Sequence, residues 1–362
     1  MARVAETGGM KIKILITVVS TCFILDSAFA QGALTPPGAP APTMRTLDQL
    51  DAKLEKRTPI SAVPFTVSVP GSYYLTTNVT TAVSNAIVIT ANGVTLDLGG
   101  WTIASTATNA ANGGTAILLT GGLKNVTIQN GFIQGGVTNN GSGVFSGSGF
   151  ANGIYYSSGA PINVLASKVS VSGCLFNGIN LSVSGSTVVE SCTARTIGNI
   201  GLSASTVKGC GAADCGNYAI YGDLVSDCRG AAVGNGYGVY ATTAQNSDGQ
   251  CSGNGYGVYA ITALNCHGNS DGSGDGIYAY TAQNCYGYNG SNGTALFAVC
   301  AQNCYGFNNA NGTGLHATSV ASGCTGTSIT GTGLVATIAN SCSGTVITSG
   351  TPLSTTHNVN SF

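Results

Sequence analysis

The chain has 362 residues with 12 Lys and Arg against 13 Asp and Glu, and 7% of its residues are charged, against about 25% in an ordinary soluble domain. There is no basic excess to hold nucleic acid and no acidic tract. With 43% apolar residues, disorder driven by charge is excluded too.

Lys11 and Lys13 precede an apolar run from Ile14 to Leu25, and Ala28-Phe29-Ala30 follows. This pattern predicts a signal peptide over 1–30, cleaved after Ala30, and a secreted or periplasmic protein. The run of about twelve residues is too short for a bilayer core that needs about twenty, and no membrane span is expected in the mature chain. Residues 31–44 are Pro/Ala-rich and read as an extended linker. Over 45–58, Leu47, Leu50 and Leu54 form one helical stripe, with Thr46 or Asp48 as cap and Pro59 as stop. This amphipathic helix is expected to cap the open edge of a strand stack.

From residue 59 the chain reads as strands. Val94-Thr-Leu96-Asp-Leu98 alternates with period two, and Val126-Thr-Ile128-Gln repeats the form 32 residues later. Softer stretches lie at about 104–114 and 135–160. From Cys174 a period is explicit. Cysteines stand at 174, 192, 210, 228, 266, 285, 304, 324 and 342, with Ser247 in the missing place and steps of 18 to 20. Three residues ahead of each slot is an apolar residue, from Val171 and Val189 to Ala339. The residue just ahead is Gly, Asn, Asp or Ser. A third register holds Ile220, Val239, Val258, Ile277, Leu296, Leu315 and Leu334.

A unit this short cannot hold a helix pair. It fits one coil of a solenoid, which buries its apolar face only by stacking on its neighbours. The expected fold is all-β: a right-handed single-stranded parallel β-helix (solenoid) over 59–352, with a C-terminal tail over 353–362. About twelve coils at about 4.8 Å would make a rod of roughly 60 Å. A left-handed form would need an apolar residue every six, but six and twelve beyond Val189 stand Arg195 and Gly201. Asn ahead of the cysteine slot suits a left-handed bend with amide ladders.

Stacked thiols about 4.8 Å apart fall within disulfide range, and export permits oxidation. Their Cβ vectors are parallel, however, and Ser247 shares the slot. The ladder is therefore read as buried packing, with a disulfide series as the alternative. A straight row does not converge on a tetrahedron, so no metal is expected there. Cys215, Cys251 and Cys300 lie off the ladder.

Beside the buried Ile/Val/Leu register stand Tyr221, Tyr240, Tyr259, Tyr278, Phe297 and His316, spaced by nineteen. Period two puts them on the outer face, and Tyr286 and Tyr305 suggest a second stripe. They read either as cross-strand stacking that stabilises a sheet or as a flat ring platform that binds sugar faces or a protein. For catalysis, a lyase needs a base and cations, yet no Lys or Arg follows Arg229. A hydrolase needs paired carboxylates. Asp214, Asp223, Asp227 and Asp248 are the candidates, with Asp227 and Asp248 brought near each other on adjacent coils. No cofactor is expected, although Asp271-Gly-Ser-Gly-Asp275-Gly has a spacing that could hold Ca²⁺ but lacks the later Glu.

PGSYYLTTNV (70–79), VTLDLGGWTI (94–103) and VTIQNGFIQGG (126–136), followed by V-x-N-C-like coils, resemble the exported bacterial right-handed parallel β-helix repeat proteins of the pectate-lyase-like superfamily. The resemblance covers about residues 44–345. It implies a secreted or periplasmic β-helix with relatives that cut or bind polysaccharide. The paired-aspartate and Gly-His-Gly patterns of that superfamily's galacturonan hydrolases are absent. The expected function is a non-catalytic β-helix that binds polysaccharide or a cell-envelope protein, or serves as an envelope scaffold. The alternative is a polysaccharide lyase or glycoside hydrolase whose groove is built by the stretches at 104–114 and 135–160.

Overall fold

The computed structural model describes residues 57–82 and 84–362. The expected signal peptide, the linker and residues 45–56 of the expected capping helix lie outside the described residues. Thr58, placed at that helix's end, instead opens the strand Thr58–Ile60, because a residue followed by proline is driven to extended backbone.

The described chain winds as a parallel β-helix. On one face, fourteen successive parallel pairings join fifteen strands from Thr58–Ile60 to Thr351–Val359. At about 4.8 Å per rung the stack spans roughly 70 Å, longer than expected. The extra rungs lie in the N-terminal part, where coil lengths vary and no cysteine marks them. Leu96 pairs with Ile128, 32 residues on, as the two VT motifs suggested, but Ile128 pairs with Ala166 and Ala166 with Val189. The expected C-terminal tail is a further rung: Thr351–Val359 pairs along its length with Thr332–Asn340, because its alternating Leu353 continues the Leu315/Leu334 column. No helix among the described residues is long and apolar enough to cross a membrane.

Each later coil has three faces. Asn177–Asn180 and Ser186–Glu190 are separate strands, yet both pair with the single strand Ile200–Lys208. The long strand of a coil, such as Tyr237–Gln245, therefore supplies a first and a second face with a corner at exposed Thr242. The short strand Asp248–Cys251 supplies the third face. Val239, Ala241, Ala244, Ser247 and Cys251 point inward and are buried. Between the second and third faces the chain turns through one left-handed residue per coil: Asp227, Asn246, Asn265, Asn284 and Asn303 have φ of 48–55°. Asn and Asp tolerate that conformation. The amides also stack, since Asn265 Nδ2 donates to Asn246 Oδ1 at 3.1 Å and Asn284 Nδ2 to Asn265 Oδ1 at 3.2 Å.

The cysteine slot follows this corner, and its chemistry explains its composition. The Cys192 N–H donates to Cys210 Sγ at 3.4 Å, Cys228 N–H to Ser247 Oγ at 3.3 Å, and Cys266 N–H to Cys285 Sγ at 3.5 Å. Each slot side chain thus accepts from the corner N–H of the coil before it, which the turn removes from the strand ladder. A small side chain that also accepts is needed, and Cys and Ser both qualify. Ser361 occupies the next place, accepting from Cys342 N–H at 2.9 Å.

Cys174, expected as the first member, is not in this row. It pairs with Ile197, which pairs with Cys215. The pairing of Ser170 with Thr193 puts Val169 beneath Cys192. Val171 accordingly pairs with Ala194 instead of Val189. The coil there carries an insertion around Ser182–Gly185, so counting back eighteen lands in the wrong column.

All twelve cysteines from Cys174 to Cys342 are free thiols, and all but Cys300 are buried. Burial pushes Cys174 and Cys192 up to about 12, so these thiols stay protonated and unreactive at neutral pH. Native protein is expected to react with a thiol reagent at one site, Cys300. Unfolded, unreduced protein should react at all twelve. A count near zero after unfolding would establish a disulfide series instead.

Candidate functional site

Strand pairing places Tyr221, Tyr240, Tyr259, Tyr278, Phe297 and His316 in a single column on the first face, one per rung. The rings are half-buried. Tyr240 and Tyr259 have centroids 4.9 Å apart and planes within 3°, Tyr259 and Tyr278 are 4.9 Å apart and within 1°, and Tyr278 and Phe297 are 4.8 Å apart and within 8°. Parallel rings this close cannot lie side by side in one plane. They overlap as offset stacks, like shingles. Tyr221 meets Tyr240 at 70° and His316 meets Phe297 at 84°, closing both ends of the stack. Of the two readings of this column, cross-strand stacking is present: the rings pair face to face along the rod.

A second column, unnoticed in the sequence, stands three residues ahead. Tyr218 stacks on Tyr237 at 5.1 Å and Tyr237 on Tyr256 at 5.4 Å. The columns interlock edge to face, with Tyr237 and Tyr240 at 5.4 Å and 89°. The signal was available as the Tyr-x-x-Tyr pairs at 218/221, 237/240 and 256/259. Burial first, then neighbouring phenols, raise the pKa of Tyr218, Tyr237 and Tyr240, so these hydroxyls remain donors. Asp275 takes the next place above Tyr256, because Ile277 pairs with Val258. Burial pushes its carboxyl up to about 6, against the Thr294 N–H that donates to Oδ1 at 3.0 Å. Asp275, one end of the sequence-read calcium loop, is thus engaged with backbone. Among the described residues no three or more His, Cys, Asp or Glu side chains are grouped to hold a metal.

The third face carries a different column: Arg229, Asp248, His267, Tyr286 and Tyr305 on successive rungs. Asp248 lies 3.3 Å from His267 Nδ1 and 3.9 Å from the Arg229 guanidinium. The hydrogen bond from His267, with the charges of His267 and Arg229, holds the Asp248 carboxyl below its ordinary range despite partial burial. The His267 ring stacks on Tyr286 at 4.9 Å, and Tyr286 on Tyr305 at 5.4 Å, which forms the second stripe suggested by the sequence. A depression of about 600 Å³ beside this column is lined by Asp227, Arg229, Asn246, Asp248, Asn265 and His267.

The first half of the Gly/Ser/Asn-rich stretch at 135–160 folds out as an antiparallel hairpin, Gly136–Asn139 with Phe145–Ser148, while Asn152–Tyr156 returns to the parallel stack. Asn139 Nδ2 donates to Asp214 Oδ1 at 2.6 Å and fastens it to the third face. A shallow groove of about 450 Å³ on that face is lined by small residues with Arg195 and Arg229, and no carboxylate lines it. Asp214 is further held by Thr196 Oγ1 at 2.9 Å. Asp227 accepts from Asn246 Nδ2 at 3.1 Å, and Asp223 is exposed. Asp227 and Asp248 do border one depression, as expected, but each is engaged by a different partner.

No protein-family model matches this chain, and no curated protein does. Among solved structures it is similar to the A-module of a mannuronan C-5 epimerase from Azotobacter vinelandii, at 12% identity over 80% of this chain and 90% of that one, with a TM-score of 0.37. The parallel β-helix described above rests on the strand pairings, and the function on the faces.

Proposed function

We propose that this protein is an exported β-helix that binds polysaccharide without cleaving it, and that the first face is its binding surface. One observation carries the reading. Nine aromatic side chains, Tyr218 to His316, are concentrated on a single face in two interlocked columns. Export rests on the pattern at residues 11–30. A test is retention on insoluble polysaccharides. The wild type should be retained and release no products, and a Tyr240→Ala/Tyr259→Ala/Tyr278→Ala protein that is still folded should be washed through. Equal retention of the two would end the reading.

A second reading, a carbohydrate-active enzyme, is favoured by the Asp248–His267 pair. The carboxylate engages Nδ1, which leaves Nε2 as the nitrogen for a general-base role, and Arg229 lines the same depression as the nearby cation. It predicts cleavage or modification products from a polysaccharide panel that vanish in His267→Ala.

A further inference from the structure

The third-face groove of about 450 Å³ carries two cations that the tyrosine columns do not use, Arg195 and Arg229. Strand register builds it. Ser172 pairs with Arg195 and Arg195 with Ala213, while Ser170 pairs with Thr193, Thr193 with Gly211 and Gly211 with Arg229. The two arginines thus stand two rungs apart in neighbouring outward columns. The rung between them presents only Gly211 and Ala213, and no atom lies within 4 Å of the Cβ position of Gly211. That rung is open to the groove.

Both guanidiniums have donors to spare. Arg195 is exposed and makes no ion pair among the described residues. Arg229 Nε lies 3.9 Å from Asp248 Oδ2, too far for a hydrogen bond, and His267 Nδ1 lies 3.3 Å from the other Asp248 oxygen. Asp214, on the intervening strand, is taken up by Asn139 and Thr196. Ser170 Oγ accepts from Thr193 Oγ1 at 2.9 Å, which leaves its own hydrogen for a further acceptor. The groove therefore offers two positive charges and no lining carboxylate. Two charges match a dianion. A phosphate monoester carries about −1.5 to −2 at pH 7 and accepts a guanidinium fork on two oxygens. A carboxylate or a sulfate ester brings one charge and leaves the second cation unmatched. The volume falls in the range of about 300–1,000 Å³ typical of small organic ligands, which leaves room for more than the phosphate.

We propose that this groove binds a phosphate monoester of about the size of a sugar phosphate, with the phosphate on Arg195 and Arg229 and the carbon skeleton over the small-residue floor. The site is separate from the first face and does not depend on the polysaccharide reading. Calorimetric titration of the full chain would use glucose 6-phosphate, glucose 6-sulfate, inorganic phosphate and glucose. Glucose 6-phosphate should bind about tenfold tighter than the sulfate ester or inorganic phosphate, and glucose should not bind. Arg195→Ala changes an exposed side chain. It should unfold at the wild-type temperature and bind glucose 6-phosphate about tenfold weaker or worse. Gly211→Glu places a carboxylate on the open rung between the arginines and should abolish binding.

Equal affinity for the two esters would overturn the dianion assignment. Inorganic phosphate binding as tightly as glucose 6-phosphate would overturn the sugar-sized ligand. The site itself is wrong if glucose 6-phosphate does not bind, or if either folded variant binds it as the wild type does.

Discussion

A Gly249→Ala protein is expected to lose about 3 kcal/mol or more of stability, while Gly211→Ala changes little. The Gly249 backbone lies directly against the opposite wall of the rod. A methyl there would overlap the Gly257 carbonyl oxygen and come within 2.6 Å of its carbon and 2.7 Å of Val258 Cγ2. Ordinary overpacking costs about 1–3 kcal/mol when side chains can shift. Here both walls are backbone pinned by parallel ladders above and below, so neither can give. The same glycine recurs as Gly230, Gly268, Gly287, Gly306, Gly326 and Gly344, each meeting the backbone across the rod. Gly211 lies on the same face with no atom within 4 Å of its Cβ position, and alanine there should be neutral or stabilising by about 0.5 kcal/mol. Denaturant midpoints of the two variants decide the matter. Equal midpoints would mean that the walls are not in contact.

The second large effect is expected at Asn308, which is fully buried. Its Nδ2 has three acceptors in reach, Asn289 Oδ1 at 3.0 Å, Ser291 O at 2.7 Å and Gly293 O at 2.8 Å, which share its two hydrogens, while its Oδ1 accepts from Ala310 N–H and Gly312 N–H, both at 2.9 Å. The amide holds the turn between the third face and the next coil's first face. Asn308→Leu preserves volume but strands several buried polar groups at about 1–3 kcal/mol each, so a loss of about 4 kcal/mol or more is expected. Asn308→Ser should lose clearly less. Ser328 and Ser270 fill the same column, and Ser328 Oγ donates to Gly312 O at 2.8 Å and accepts from Gly331 N–H at 2.9 Å. If the Leu variant proves as stable as the Ser variant, packing and not hydrogen bonding governs this column.

Much of the fold was legible because a solenoid repeats its environments. Val239, Val258 and Ile277 recur at nineteen since each occupies the same inward place, and Asn ahead of Cys recurs since each corner needs a left-handed residue. The cysteine count went astray at Cys174, where an insertion changed coil length and a step of eighteen no longer meant the same column. The candidate site was legible in the same partial way. Like residues at equal spacing revealed the Tyr240 column, but the Arg229–Asp248–His267 series did not announce itself. Three unlike side chains stacked on adjacent rungs leave no period to detect.

From the order of its residues alone, this protein is committed to parallel stacking, to its inward columns and to the side of the rod on which its tyrosines stand. Tertiary structure decided the rest: which columns align across irregular coils, that glycine brings two walls into backbone contact, and that the tyrosine rings turn their faces to one another. A period reports that an environment recurs. Side-chain torsions and insertion lengths, which leave no period, determine what touches what within it.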